Sequence, residues 1–220
     1  MDEYYETLGR IGACILASDD PIRGSRSFSN SGQLYKGYRV IRNNTAINLV
    51  APSESEYINV ETIIQLSVRF RNAIGEDGIK QLHAEYQNDL GQNVDEEEVV
   101  DIHLRRNLAE IDTEETQAAT TEIERSVTDP DVRLNWITYD DTQLLNGFIL
   151  RTRLFPDTVS VETYDAAVNR ISHYAPRVDE AFTDRFGGFI EEIRDADENL
   201  PTGGADEGES EPESTGRGFA

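Results

Sequence analysis

The residues of this chain that could perform acid–base or metal chemistry are mainly carboxylates. The 43 acidic residues outnumber 20 basic ones, for a formal net charge of −23 over 220 residues. They cluster at Asp19-Asp20, Glu96-Glu97-Glu98 and Asp140-Asp141, where paired carboxylates could hold a divalent cation or act as general acid and base. Because a fifth of all residues are acidic, such runs arise from composition alone, and we interpret them as a solvated surface.

The histidines and the cysteine form no recognisable metal or nucleophile motif. His83, His103 and His173 lie far apart, each without a second ligand three or four positions away, whereas a zinc or iron site needs three or four converging ligands. Cys14 lies in the apolar run Gly-Ala-Cys-Ile-Leu-Ala, which predicts a small buried side chain. We therefore expect no metal, no cofactor and a non-enzymatic protein, with an enzyme of unrecognised type as an alternative.

The acidic excess indicates the solvent in which the chain works. Lys36 and Lys80 are the only lysines, and acid-rich, lysine-poor chains resemble the cytosolic proteins of salt-in halophilic archaea. Self-repulsion becomes tolerable when molar salt shortens the screening length to about 3 Å. The start Met-Asp-Glu-Tyr-Tyr-Glu carries no signal-peptide pattern, and no apolar run is long enough to span a bilayer. We expect a halophilic, cytoplasmic protein without a membrane segment.

One segment, residues 23–42, departs from the overall charge. It contains no acidic residue, and five basic side chains are interleaved with three aromatic ones. We call it the basic segment and predict that it binds a partner; the alternative is that its cations pair with neighbouring carboxylates. Its members are Arg23, Arg26, Phe28, Tyr35, Lys36, Tyr38, Arg39 and Arg42.

The chemistry of the basic segment fits an acidic protein or a nucleic-acid phosphate. Strong salt weakens phosphate binding through counterion release. A protein partner with apolar contacts is therefore favoured, and a nucleic-acid-associated regulator that binds through residues 23–42 is the alternative.

Hydrophobic spacing and turn residues predict the elements of the first half of the chain. The turn dipeptide Asn43-Asn44 tolerates positive φ and joins two apolar runs. The predicted elements are a helix over 3–17, an exposed loop over 23–33, a hairpin over 34–50, a helix over 60–75 capped by Asn59 (with a strand over 62–70 as the alternative) and a helix over 79–90.

The second half is predicted in the same way. Ser160 can cap a helix that opens Val161-Glu162-Thr163, and Pro176 either kinks that helix or begins a new one. The remaining predicted elements are a charged helix over 95–112, a helix from Thr113 to before Asp129-Pro130, strands over 132–137 and 145–155 with a turn at 140–143, and a disordered acidic tail from 199 to 220.

Two segments about 101 residues apart resemble each other. Val60-Glu61-Thr62 matches Val161-Glu162-Thr163, and Ile47-Asn48-Leu49 matches Phe148-Ile149-Leu150. A tandem duplication of a helix–hairpin–helix unit and chance similarity of helix starts both explain this. We expect an α+β fold in which two hairpins form one antiparallel sheet packed against helices. The predicted division is a first half at 1–92, a charged connecting helix at 93–112, a second half at 113–198 and the tail at 199–220.

The segment from Leu145 to Gly187 reads as a strand, a Pro-Asp turn, a Ser-Val-Glu-Thr helix start and a final Phe-Gly. This order resembles the C-terminal part of the YbjN-like, type III secretion chaperone-like family. The resemblance implies a small α+β module that binds partners and catalyses nothing known. We expect a chaperone-like or regulatory adaptor. Apart from the resemblance, a homodimer through sheet edges is a further possibility.

Overall fold

The computed structural model describes residues 2–30, 33–52, 56–90, 94–111, 113–139 and 143–186. Within these residues the chain forms an α+β fold around one six-stranded antiparallel sheet of order β1-β2-β3-β4-β6-β5. The strands are β1 (Ile22–Asn30), β2 (Gln33–Arg42), β3 (Thr45–Pro52), β4 (Ile58–Gln65), β5 (Arg133–Thr138) and β6 (Leu145–Leu154).

Five α-helices accompany the sheet in the described residues. They are α1 (Asp2–Ala17), α2 (Leu66–Leu90), α3 (Glu96–Leu108), α4 (Thr113–Ser126) and α5 (Val161–Phe186), and a short 3₁₀ turn (Pro156–Thr158) precedes α5. No helix in these ranges is both long and apolar enough to cross a membrane.

The core lies between the sheet and the helices. Helix α5 crosses β6, β4, β3 and β2, and α1 packs on β2 and α5. Alternate strand residues such as Val40, Leu49, Val60 and Leu150 are fully buried on this side, as expected where one face of an antiparallel sheet is covered. Helix α2 packs on α3 and is tied to α5 through the ion pair between Arg69 and Asp179.

The opposite side of the sheet carries the intervening residues of each strand. A shallow pocket there is lined entirely by residues of β2, β3 and β4, so no described helix contributes to its walls. We call this side the open face. It is half-buried to exposed at Arg39, Asn48, Ile63, Arg151 and Arg133.

Several predicted elements are confirmed. Helix α1 and the hairpin of β2 and β3 lie where the hydrophobic pattern places them. Asn43 and Asn44 occupy the turn with φ values of 50° and 61°. The backbone N–H of Thr163 donates to Ser160 Oγ at 3.3 Å, which caps α5. Helix α5 continues through Pro176, so the alternative of a new helix beginning there is wrong.

Two elements differ from their prediction. The predicted loop at 23–33 is wrong, because Ile22–Asn30 forms β1 and pairs with β2; an edge strand beside water tolerates its polar composition. The predicted helix from Val60 is also wrong over Ile58–Gln65, which is β4. Five of its eight residues are β-branched, and such side chains favour strands. The helix begins only at Leu66.

Helix boundaries also shift. Helix α2 extends from Leu66 to Leu90 and includes Gly75, where φ is 65°. The two predicted helices therefore meet at a kink, without a loop between them. The charged helix spans Glu96–Leu108, shorter than predicted. Residues 140–142 of the predicted turn and the predicted tail at 199–220 lie outside the described residues.

The two predicted halves of the chain share one sheet. Strand β4 of the first half pairs with β6 of the second, and Glu61 lies opposite Arg151. The matched triplets adopt different structures, since Val60-Glu61-Thr62 lies in β4 and Val161-Glu162-Thr163 begins α5. That residue match is therefore not a structural match.

Candidate functional site

Strand alternation divides the basic segment between the two faces of the sheet. Lys36, Tyr38 and Arg42 turn towards the helices. Lys36 Nζ donates to Tyr5 Oη at 3.1 Å and lies 4.6 Å from the centre of that ring. The hydroxyl of Tyr38 donates to the backbone oxygen of Leu8 at 3.4 Å. These two contacts attach α1 to β2, so Lys36 and Tyr38 have structural roles.

Arg42 is bound most extensively of this group. Its guanidinium donates to Asp20 at 2.8 and 2.5 Å, to Asp165 at 2.7 Å and to Asn169 at 3.1 Å. The hydroxyl of Tyr164 donates to the same Asp20 carboxylate at 2.6 Å. Burial alone would lower the pKa of Arg42, but the hydrogen bonds and charges of Asp20 and Asp165 outweigh it and raise that pKa. Arg42 therefore joins the end of α1 to β2 and α5.

The other members of the basic segment lie on β1 and on the alternate residues of β2. Arg23 is exposed at an irregularity in the pairing of β1 with β2, between Ile22 and Gly24. Arg26 is paired in register with Gly37, and Phe28 with Tyr35; the side chains of Arg26, Phe28 and Tyr35 are outside the described part of the chain. Arg39 alternates with Tyr38 and therefore belongs to the open face.

A polar row crosses the open face at right angles to the strands. Each member lies directly opposite the next in the pairing of neighbouring strands. The row contains three arginines and one acid: Arg39, Asn48, Glu61, Arg151 and Arg133. With strands about 4.8 Å apart, it extends about 19 Å from Arg39 to Arg133.

The acid in this row is neutralised within the sheet. Glu61 is only 7% exposed, and Arg151 Nε donates to its carboxylate at 2.6 Å. Arg153 lies two residues beyond Arg151 on β6 and stacks over the ring of Tyr57 at 4.1 Å. Arg39 and Arg133 form no ion pair with any residue the structure describes. The open face is thus locally cationic on a chain of net charge −23.

An apolar row lies beside the polar one. Ile63 pairs in register with Ile149 on β6, and Ile41 on β2 lies in the same row by alternation with Arg39. Ile63 is 43% exposed, and Ile41 and Ile149 are half-buried. The open face therefore offers guanidinium groups and aliphatic side chains next to each other.

A pocket of about 190 Å³ lies where the two rows meet on β2, β3 and β4. Its walls are Gly37, Tyr38, Arg39, Asn48, Val50, Glu61 and Ile63. Gly37 is needed here, because a Cβ at this position would lie 2.0 Å from the backbone oxygen of Leu49. This pocket can accept one small group beside Arg39.

A larger pocket on the helix side has no charged lining residue. It measures about 450 Å³ and lies between α3, α4, β5 and the end of α5. Trp136 forms one wall, and its Nε1 donates to Glu124 at 2.7 Å. In the parts of the chain that the structure describes, no group of three or more His, Cys, Asp or Glu residues is placed to hold a metal ion.

The sequence prediction did not include the arginines of β5 and β6. Arg133, Arg151 and Arg153 lie outside residues 23–42, and residues 134–150, which include Asp140 and Asp141, separate Arg133 from Arg151. Alternation within Leu145–Leu154 would have placed Arg151 and Arg153 on one face. The neighbour relation to Arg39 and Arg133 could come only from the strand order, which pairing across distant segments determines.

Comparison with known proteins gives a relation of fold. No protein-family model and no curated protein matches this sequence. A crystal structure of an uncharacterized protein from Methanothermobacter thermautotrophicus is similar, with a TM-score of 0.50 and 11% sequence identity, over 82% of this chain and 99% of that chain. This similarity concerns the fold alone.

Proposed function

We propose that this protein is a non-enzymatic protein-interaction module, a chaperone-like or regulatory adaptor, that binds its partner on the open face. The observation that carries the proposal is the row of Arg39, Arg151 and Arg133 beside the isoleucines of the same face. An antiparallel sheet usually turns a polar face to water. Here that face carries the charge opposite to that of the whole chain and an exposed Ile63.

The combination of charges and aliphatic side chains supports a protein partner. Aliphatic contact contributes to binding in molar salt, where long-range attraction between charges is screened. Arginine forms bidentate hydrogen bonds with carboxylates, which act at short range and fix orientation. A partner with both acidic and apolar side chains would satisfy both rows.

The proposal replaces the basic segment with a different surface. Lys36, Tyr38 and Arg42 face the helices and are occupied by internal contacts. Arg39 is the cation of the basic segment that lines the pocket of the open face. The binding surface we propose therefore combines Arg39 with residues of β4, β5 and β6.

The test is capture of partners from an extract of the source organism in molar potassium chloride after nuclease treatment. Ile63→Glu places a charge in the apolar row of the open face and should abolish capture. The matched control is Leu16→Glu, which makes the same change at a side chain 72% exposed on α1 and should leave capture unchanged.

The proposal requires one protein to be retained by the original chain and by Leu16→Glu and lost with Ile63→Glu. Equal capture by both variants would place the binding surface elsewhere. Capture that disappears with nuclease treatment would support the nucleic-acid-associated regulator instead. Thermal unfolding of both variants shows that they remain folded.

A further inference from the structure

We propose that Arg133, Arg151 and Arg153 form an anion site for carboxylates of an acidic segment in the partner. We call these residues the arginine cluster. This inference rests on the proposed function and adds the chemistry by which the partner is recognised. No member of the cluster belongs to the basic segment of the sequence.

The pairing of β5 with β6 brings the three positions together. Arg133 lies directly opposite Arg151, so their Cβ atoms are about 5 Å apart, and the diagonal position of Arg153 is about 7–8 Å from Arg133. Arg133 and Arg153 are exposed, and Arg151 is half-buried. The three arginine side chains therefore start from neighbouring positions on β5 and β6, and those of Arg151 and Arg153 contact Glu61 and Tyr57 on the β4 side.

The arrangement is unfavourable for the fold alone. Like charges directly opposite on neighbouring strands destabilise a sheet. Glu61 neutralises the charge of only one of the three arginines, because its carboxylate accepts a hydrogen bond from Nε of Arg151. The chain has 43 acidic residues, yet none of those described forms an ion pair with Arg133 or Arg153. An external anion would relieve this repulsion.

The surroundings favour carboxylates of a protein over nucleic-acid phosphates. Single-stranded nucleic acid binds to sheets largely by stacking its bases on aromatic side chains. The ring of Tyr57, next to this cluster, is already covered by Arg153. The neighbouring row contains Ile63 and Ile149, which suit the aliphatic side chains of an acidic peptide.

The experiment measures binding of a labelled oligoglutamate peptide by fluorescence anisotropy, over the range of potassium chloride in which the chain stays folded. Arg133→Gln with Arg153→Gln should weaken the affinity at least about tenfold, because each removes a charge-assisted hydrogen bond. Arg151 is left in place, since its loss would leave the buried Glu61 unpaired. The double variant should remain folded, because it relieves the repulsion between Arg133 and Arg151 while it loses the stacking of Arg153 on Tyr57.

The matched control is Arg125→Gln with Arg177→Gln, which removes two exposed arginines from α4 and α5. It changes the net charge by the same amount and should leave the affinity within about twofold, since surface charges far from the site are screened. A labelled oligonucleotide of equal length serves as the comparison probe.

Equal losses in the two double variants would overturn the inference, because they would show a general effect of charge. So would an oligonucleotide that binds more tightly than oligoglutamate and depends on the same arginines. A gain in oligoglutamate affinity when Asp206, Glu207, Glu209, Glu211 and Glu213 are neutralised would assign the cluster to the chain's own acidic residues. If partner capture depends on Ile63 but oligoglutamate binding does not depend on the arginine cluster, the proposed function stands and this inference fails.

Discussion

Replacement of Arg42 by glutamine tests the division of the basic segment into structural and exposed members. The side chains of Arg42 and Asp20 are 14% and 6% exposed, so the substitution leaves a carboxylate charged and almost without water. Loss of one partner from a buried ion pair costs about 3–5 kcal/mol. Asp165 is 37% exposed, and solvent compensates it in part. We therefore expect a loss near the lower limit, about 3 kcal/mol.

The measurement is urea-induced unfolding in molar potassium chloride, followed by circular dichroism. A loss of about 3 kcal/mol corresponds to a decrease of about 6–12 °C in Tm for a chain of this size. The matched control is Arg39→Gln, the same change on the open face of the same strand. We expect it to alter stability by no more than about 0.5 kcal/mol.

A double-mutant cycle identifies the cause of the loss. Asp20→Asn in the Arg42→Gln background removes the unpaired charge, so it should recover part of the stability. The reasoning is refuted if Arg42→Gln and Arg39→Gln destabilise equally, or if Asp20→Asn adds its full independent cost to that of Arg42→Gln. Either result would mean that the guanidinium of Arg42 does not neutralise Asp20 in the folded chain.

Three further substitutions or measurements follow from described contacts. Gly37→Ala should destabilise the fold by about 1–3 kcal/mol in urea unfolding, because its Cβ meets the backbone of β3. Gly24→Ala, with no atom within 4 Å of its Cβ, should have little effect. Equal effects of the two substitutions would contradict this prediction. The pKa of Tyr139 is raised first by burial and then by the charge of Asp101. The stability that the protonated Tyr139 hydroxyl contributes is therefore complete below about pH 10, the pKa of unfolded tyrosine, and declines above that pH. Tyr139→Phe should therefore make the alkaline loss of stability shallower, and an unchanged pH profile would exclude that contribution. Cys14 is 5% exposed, and the pKa of its thiol is raised first by burial and then by the charge of Asp165. A thiol reagent should therefore react with Cys14 only as fast as the chain opens. Immediate reaction with the folded protein would contradict this burial.

Much of the fold follows from local sequence signals. Helix α1 has its apolar side chains three and four positions apart, and Ser160 supplies a hydroxyl at the start of α5. The hairpin at Asn43-Asn44 follows from two residues that adopt positive φ readily. In each case the stabilising contact lies within a few residues, so the pattern is visible in the sequence.

The wrong predictions concern segments whose structure depends on pairing with strands that are distant in sequence or that the local pattern does not reveal. Ile22–Asn30 has a polar composition that predicts a loop, and only its partner β2 makes it a strand. Asn59 and Glu61 satisfy the pattern of a helix start, but β3 and β6 flank this segment and hold it in the sheet. Local propensity is weak where a segment can gain cross-strand contacts on both sides.

The same difference between local and distant contacts explains why only part of the candidate site was predicted. Proximity in sequence grouped Lys36, Tyr38, Arg39 and Arg42, but a strand sends neighbouring residues to opposite faces. The sheet instead joins Arg39 to arginines more than 90 residues away through the polar row. In a strongly acidic chain, a search for cations must therefore count them by sheet face and strand order. The acid-free stretch of sequence mixes cations that stabilise the fold, Lys36 and Arg42, with Arg39, which lies on the open face.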